Sequence, residues 1–221
     1  MTKREKLYDA VMRLPVIAYD LFFLARELSS MRGIVAFHPY FDEDTSFLIT
    51  LASRSAILIF LATCICFHVL RYRPISKYPT FNPKIVALAG TLFSLLILLT
   101  PRAPAAAFWD GMSTLLILFG TIASILVVFD LGRSLSVMPE ARKLVTSGLY
   151  GRIRHPLYLA EEIVVLGIFL QFRSWQGLVV LAVHFYFQIR RMDFEEGILG
   201  NAFPAYAEYK ARTKRLFPGA Y

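Results

Sequence analysis

Cysteine is nearly absent from this sequence. The two present, Cys64 and Cys66, stand two residues apart inside an apolar run. On a helix that spacing points them in different directions, so no disulfide is expected between them. Adding His68 makes a notional metal cluster, but a packed apolar face accounts for the same residues, and no metal site is assigned. Internal repeats, low-complexity tracts and long linkers are missing too, which excludes repeat arrays and tethered domains. A cleavable signal peptide is not expected. Residues 1–13 are polar, and no small-residue cleavage site follows the first apolar stretch. Acidic residues are the minority charge, 16 against 24 Lys and Arg, for a net +8. A nucleic-acid partner would need a soluble basic face, and none is visible, so none is expected.

What the chain has in abundance is apolar sequence. Hydrophobic residues make up 57% of its 221 positions, and the mean hydropathy is +0.54. That composition belongs to a membrane protein rather than a soluble domain. Runs long enough to cross a bilayer lie at roughly 47–70, 84–100 and 107–129. A weaker segment, about 14–31, is interrupted by Asp20 and Arg26. Two shorter runs, about 157–172 and 175–190, stand close together near the C-terminus. Lipid leaves no partner for an open strand edge, so every span must be helical. The expected fold is all-α: a polytopic integral membrane bundle of about six transmembrane helices with a C-terminal helical hairpin.

Charge placement gives the orientation. Basic residues cluster at Lys3, Arg4, Lys6 and Arg13, at Arg71, Arg73, Lys77 and Lys84, from Arg133 to Arg154, and from Arg190 onward. The alternate loops hold Asp42-Glu43-Asp44, the sparse segment 101–110, and Arg173. The basic set should face the cytoplasm. About six crossings satisfy this alternation with both termini cytoplasmic, whereas five would strand the basic N-terminus outside. The first segment either crosses or lies flat in the interface.

Residues 144–158 are the richest in chemistry. Two arginines, a histidine and two tyrosines immediately precede an apolar run that carries Glu161 and Glu162. Carboxylates at membrane depth are expensive and usually face a partner, a cavity or a ligand. Pro156 suits a first helical turn. From there Tyr158 shares a face with Glu161 and Glu162, three and four residues on. Ser174 to Gly177 supply a tight connection, so the two short runs form an antiparallel hairpin open toward the cytoplasm. Arg191 and Glu195, four apart, project together over its mouth. An exposed ion pair there would be worth only a few tenths of a kcal/mol. Tyr206, Tyr209 and Arg212 at helical spacing read as a cover for a site or a lipid interface.

Three ordered motifs now stand together. They are Leu144-Val145-Thr146-Ser147-Gly148-x-Tyr150 running on to Arg154-His155-Pro156-x-Tyr158, then Arg191-x-x-x-Glu195-Glu196, then Tyr206-x-x-Tyr209-x-x-Arg212. Over about 131–218 they resemble the isoprenylcysteine carboxyl methyltransferase family, within a wider group that includes membrane phospholipid methyltransferases. The resemblance implies an enzyme that binds S-adenosylmethionine in a cytosolic pocket and receives a membrane lipid or lipid-like methyl acceptor. It places Arg142, Leu144, Val145, Tyr150, His155, Pro156, Tyr158 and Glu195 at the cofactor, with Arg191 toward the acceptor. Arg191 and Glu195 are the expected catalytic pair, and Glu162 joins Arg191 as an expected acceptor contact. The chain departs from the pattern at Arg142, where a histidine or other polar residue is common, and at Glu161 and Glu162, where apolar residues are expected. Phe203 also replaces a usual glycine. The implied organisation is a membrane region without matched motif at 1–80, core helices at 81–130, and a methyltransferase-like, cofactor-binding region at 131–221.

The inventory suits that chemistry. Glu195 offers a carboxylate to an ammonium, Tyr150 and Tyr158 offer aromatic faces, and His155 offers a donor to a carboxylate. An acceptor carboxylate would need Arg191 and no base. An amine would need a base, for which Glu161, Glu162 and Glu196 are available. A nicotinamide-dependent membrane reductase similar to the sterol reductases is the main rival. Those typically carry Asn immediately before the tyrosine, where this chain has Leu157. A non-catalytic lipid-binding protein is the third reading. The topology is checked by single-cysteine labelling in a chain lacking Cys64 and Cys66. Sites near 43 and 103 should react from outside, and a site near residue 3 should not.

Overall fold

A computed structural model describes residues 3–36 and 44–217. Asp42, Glu43 and Pro218 lie outside the described residues. Seven α-helices carry the fold: α1 (Lys3–Ala36), α2 (Asp44–Leu70), α3 (Asn82–Leu92), α4 (Ala107–Leu131), α5 (Pro156–Phe172), α6 (Trp175–Ala202) and α7 (Tyr206–Arg212). Two short strands, β1 (Ser76–Lys77) and β2 (Glu140–Ala141), pair antiparallel, with Ser76 opposite Ala141 and Lys77 opposite Glu140.

The protein is an all-α integral membrane protein. Three segments among the described residues are long and apolar enough to cross: Phe47–Leu70, Asn82–Leu99 and Ala107–Ser134. They coincide with the three long runs read from the sequence. The middle one differs in form, because after α3 the chain tightens into a 3-10 helix over Phe93–Leu99. A 3-10 helix rises about 2.0 Å per residue against 1.5 Å for an α-helix. The segment therefore reaches about 30 Å, the thickness of the hydrocarbon core, with fewer residues than a pure α-helix needs. α1 carries too many charged residues to qualify. α5 has 17 residues, which gives about 25 Å. α6 has 28, about 42 Å, and ends in a charged stretch.

Helix ends follow their residues. Pro156 starts α5, and Arg173, in the left-handed region at φ 42°, ends it. Ser174 then caps α6 by accepting from the Gly177 N–H at 3.0 Å. That is the tight hairpin connection the sequence promised. Arg173 also donates to the Pro104 carbonyl at 2.7 Å, which ties the hairpin tip to the loop before α4.

α4 and α5 pack through small residues, as membrane helices do when no apolar driving force separates lipid from protein. A side-chain carbon at Gly120 would stand 2.8 Å from Val164 Cγ2 and 3.0 Å from the Ala160 carbonyl. One at Gly167 would stand 3.0 Å from the Ser113 carbonyl. At the other end of the bundle the basic loops gather. Tyr72 N–H donates to Arg133 O at 2.7 Å, Ile75 N–H to Ala141 O at 2.6 Å, and Arg133 Nε to Leu70 O at 2.6 Å. The loops after α2 and α4 thus form one platform above the hairpin.

Leucine at Gly120 should pry α4 from α5 and cost roughly 1–3 kcal/mol. The expected readout is a lower thermal midpoint in detergent. The same change at Gly33, which has open space around it, should leave the midpoint where it is.

Candidate functional site

The entry to α5 is shaped by the segment before it. Gly148 sits at φ 62°, where an added side-chain carbon would collide with the Asp130 carboxylate. That carboxylate accepts from the Leu149 N–H at 2.7 Å. Glycine is required on both counts. Residues 148–151 make one 3-10 turn, which carries Tyr150, and the chain then runs beside the C-terminal tail. Arg154 N–H donates to Lys214 O at 2.8 Å and His155 N–H to Arg215 O at 3.1 Å. Tyr209 closes the same edge by donating to the Tyr150 carbonyl at 2.7 Å.

An open cavity of about 100 Å³ lies beneath this roof. Arg142, Leu144, Val145, Tyr150, His155, Tyr158, Arg191 and Glu195 all line it, and Tyr206 and Tyr209 line it from the tail. Pro156 is buried behind the wall at the start of α5. Glu162 lies deeper, 3.0 Å from His184 Nε2 and off the cavity wall. Sequence reasoning missed Ser134, Ser136, Met138 and Glu140 on the platform, and Ile198 and Leu199 on α6. The α6 pair was readable, because both follow Glu195 at three- and four-residue spacing. The platform residues gave no signal, since their place depends on strand pairing between distant loops.

At the floor of the cavity Tyr158 donates to Glu195 Oε1. The Arg191 guanidinium lies 4.8 Å from the Tyr158 ring centre and 3.6 Å from Glu195. Arg191 is also tethered: Nη1 donates to Thr91 Oγ1 at 3.1 Å and Nη2 to the Val137 carbonyl at 3.0 Å. It is 6% exposed, so the pair with Glu195 is a buried one rather than a surface pair. Arg142 is fixed as well. It donates to the Tyr72 carbonyl and, at 2.5 Å, to Glu140 Oε2, joining the two loops of the platform. Burial, with the Glu195 charge nearby, pushes the Tyr150 phenol up, and burial pushes Tyr209 up to about 12. Both stay neutral and able to donate at physiological pH.

Glu196 has a different place from its neighbour. It is buried, and Arg154 Nε, Arg215 Nε and His155 Nε2 approach its Oε1 at 3.0, 3.1 and 3.1 Å. Lys210 Nζ meets Oε2 at 2.9 Å. Burial alone would raise this carboxyl, but hydrogen bonds from His155 and Lys210 and the charge of Arg215 outweigh it. They hold it well below the usual carboxylate range. A group so engaged is a clamp between α6, the start of α5 and the tail.

The cavity wall keeps several buried polar atoms without hydrogen-bond partners, namely Ser134 Oγ, Tyr206 OH and Arg191 Nε. Arg191 Nε has only its 3.6 Å ion-pair contact with Glu195, and no hydrogen bond. A helical membrane protein with a polar cavity where its basic loops converge is the class that emerges. The phospholipid methyltransferase family model matches residues 109–205, the segment from α4 to the start of α7. That segment is of the same wider group as the isoprenylcysteine-type membrane methyltransferases. The chain is also 37% identical, over 115 residues, to a cobalt-zinc-cadmium resistance protein of Cupriavidus metallidurans, covering 50% of this chain and 53% of that one. It is 32% identical, over 80 residues, to a nickel-cobalt-cadmium resistance protein of Alcaligenes xylosoxydans xylosoxydans, covering 36% and 38%. The chain thus spans about half or less of the curated relatives it matches.

The Glu196 clamp gives a pH test. Its folded-state carboxyl lies below the unfolded value of about 4.3. Its contribution is therefore complete above that value and is lost as pH falls toward the depressed folded value. Thermal midpoints should drop as pH falls below the ordinary carboxylate range. Glu196→Gln should be less stable at neutral pH and lose much of that acid sensitivity.

Proposed function

We propose that the protein transfers a methyl group from S-adenosylmethionine to the amine head of a membrane-embedded acceptor. The observation that carries this reading is the single cavity uniting Glu195, Tyr158, Arg191, Tyr150 and His155 where α5 and α6 open. When bound, S-adenosylmethionine supplies a methyl group on a positively charged sulfur. Glu195 would take its ammonium, the Tyr150 and Tyr158 rings would face its cationic and aromatic parts, and His155 would meet it through Nδ1, since Nε2 donates to Glu196. Positioning then supplies much of the rate, with no covalent enzyme intermediate.

The acceptor is read from charge. Both Nη groups of Arg191 are already bonded, to Thr91 and Val137. A bidentate grip on an acceptor carboxylate would have to displace them. The carboxylates Glu161 and Glu162 stand just below on α5, which suits a head that arrives protonated and must give up a proton. A carboxylate acceptor held by Arg191 is the second reading, favoured by Arg191 Nε, which makes no hydrogen bond and only a 3.6 Å ion-pair contact with Glu195. The metal resistance in the relatives' names is said of those proteins. Among the described residues no three His, Cys, Asp or Glu side chains gather closely enough to hold a metal ion.

Calorimetry on purified protein should show binding of S-adenosylmethionine and not of NADPH. Glu195→Gln should weaken it more than tenfold, since losing a charge-assisted bond to an ammonium costs about 1.5–3 kcal/mol. Arg191→Lys should lower turnover while leaving cofactor affinity nearly unchanged. Equal affinity for S-adenosylmethionine in the native protein and in Glu195→Gln, His155→Ala and Tyr158→Ala would remove the site from this cavity.

A further inference from the structure

Below the cavity floor the hairpin continues as a ladder of polar pairs. Tyr158 meets Glu195, Glu161 lies 3.4 Å from Gln188 Nε2, and Glu162 lies 3.0 Å from His184 Nε2. Along α6 from Glu195 to His184 the ladder descends about 16 Å, away from the cavity and into the helical bundle. His184 is 2% exposed and Gln188 1%. Yet Gln188 Oε1 and both ring nitrogens of His184 have no hydrogen-bond partner, and neither has Glu162 Oε1. The His184 and Glu162 atoms are near in distance but out of line for a hydrogen bond. Nothing in cofactor binding uses these groups, and apolar residues would pack there at no electrostatic cost.

The ladder is also short of positive charge. Glu195, Glu161 and Glu162 are three carboxylates, and Arg191 is the one fixed cation among them. Carboxylates buried without full compensation are costly. The other groups facing them do not make up the deficit. Tyr19 and Asp20 of α1 and Cys64 of α2 lie within electrostatic range of Glu161 or of one another. Asp20 is itself paired with His68 at 3.0 Å. α4 buries hydroxyls (Ser113, Thr121 and Ser124) and no charged residue. α3 buries only Pro83, Ala87 and Gly90, and the 3-10 helix after it holds no titratable side chain.

Resting on the methyltransferase reading, we propose that this ladder is the proton acceptor of the reaction, with the Glu162–His184 pair as its terminus. An ammonium head gives its proton to Glu161, the middle rung, and Glu161 passes it on to the Glu162–His184 pair, where it is shared between carboxylate and imidazole. The nitrogen lone pair so freed forms the N–C bond. The S–C bond breaks, its electron pair goes to sulfur, and the methylated nitrogen carries the positive charge. His184 is suited to the task because an imidazole with a carboxylate beside one nitrogen can take a proton on the other.

The test uses the full chain in phosphatidylcholine vesicles doped with a long-chain primary amine. Glu162→Gln and His184→Gln should each slow methylation of the amine at neutral pH by about a hundredfold or more, the range of general-base contributions. The loss should recover at mildly alkaline pH, where the amine arrives neutral. Affinity for S-adenosylmethionine, read by calorimetry, should stay unchanged. Infrared difference spectra on adding the amine without methyl donor should show a protonated-carboxyl or imidazolium signal that both variants lack. An unchanged rate, a loss equal at every pH, or a parallel fall in cofactor affinity would overturn the proton role. So would native protein that binds cofactor but leaves the amine unmethylated. Failure of the native protein to bind S-adenosylmethionine would instead overturn the function on which the proposal rests.

Discussion

A buried carboxylate surrounded by cations is stable only if every one of them is held in place, and Glu196 sets that condition for the loop side of this molecule. Arg154 and His155 come from the segment leading into α5, Lys210 from α7, and Arg215 from the tail. Those four residues belong to three stretches, which the ion cluster joins beside the apolar contact of the tail's Leu216 with Tyr158 and Met192. Hydrogen bonds between the backbone at 154–155 and 214–215 run alongside. The cavity roof therefore combines this ion cluster with apolar packing, whereas α4 and α5 below meet through small residues. The two halves should respond differently to acid and to salt.

This assigns the residues of the Arg-His-Pro stretch to distinct tasks. Arg154 bonds Glu196 and the tail carbonyls of Lys210 and Thr213. His155 turns one nitrogen to the clamp and stacks its ring 5.4 Å from Tyr158. Pro156 starts the helix. A motif that reads as ligand chemistry in one dimension is thus in large part the means by which the tail is docked. Only the second nitrogen of His155 and the Tyr158 ring are left to meet a ligand.

What the sequence made legible was local. Apolar length located the three long spans, Pro156 and Ser174 marked the hairpin, and four-residue spacing joined Arg191 to Glu195 and Tyr158 to Glu162 on the inward face. What stayed hidden depended on pairing between distant segments. Glu196 stood beside Glu195 as an equal candidate for a base, and only the tail's return past α5 shows it consumed by three cations and a histidine. Arg142 read as a cofactor contact, but its guanidinium is anchored across to Tyr72 and Glu140, because the loops after α2 and α4 pair as strands. Three-helix spacing rules cannot see a two-residue strand pair.

The histidines carry the same lesson into the membrane. Each one among the described residues stands about 3 Å from a carboxylate: His68 by Asp20, His155 by Glu196, and His184 by Glu162. The surroundings separate their roles. His155 shares its carboxylate with three cations, so the cluster is saturated and structural. His68 bonds a carboxylate on the neighbouring helix and fixes α1 against α2. His184 has neither relief: its partner is misaligned, both its nitrogens lack a bond, and a second carboxylate lies adjacent in the chain. A buried pair left in that condition is poorly explained by stability, because apolar residues of like volume would serve better. Its cost is intelligible if the pair exists to change charge, and the nearest chemistry that moves charge lies one ladder above it, at Glu195 and Arg191.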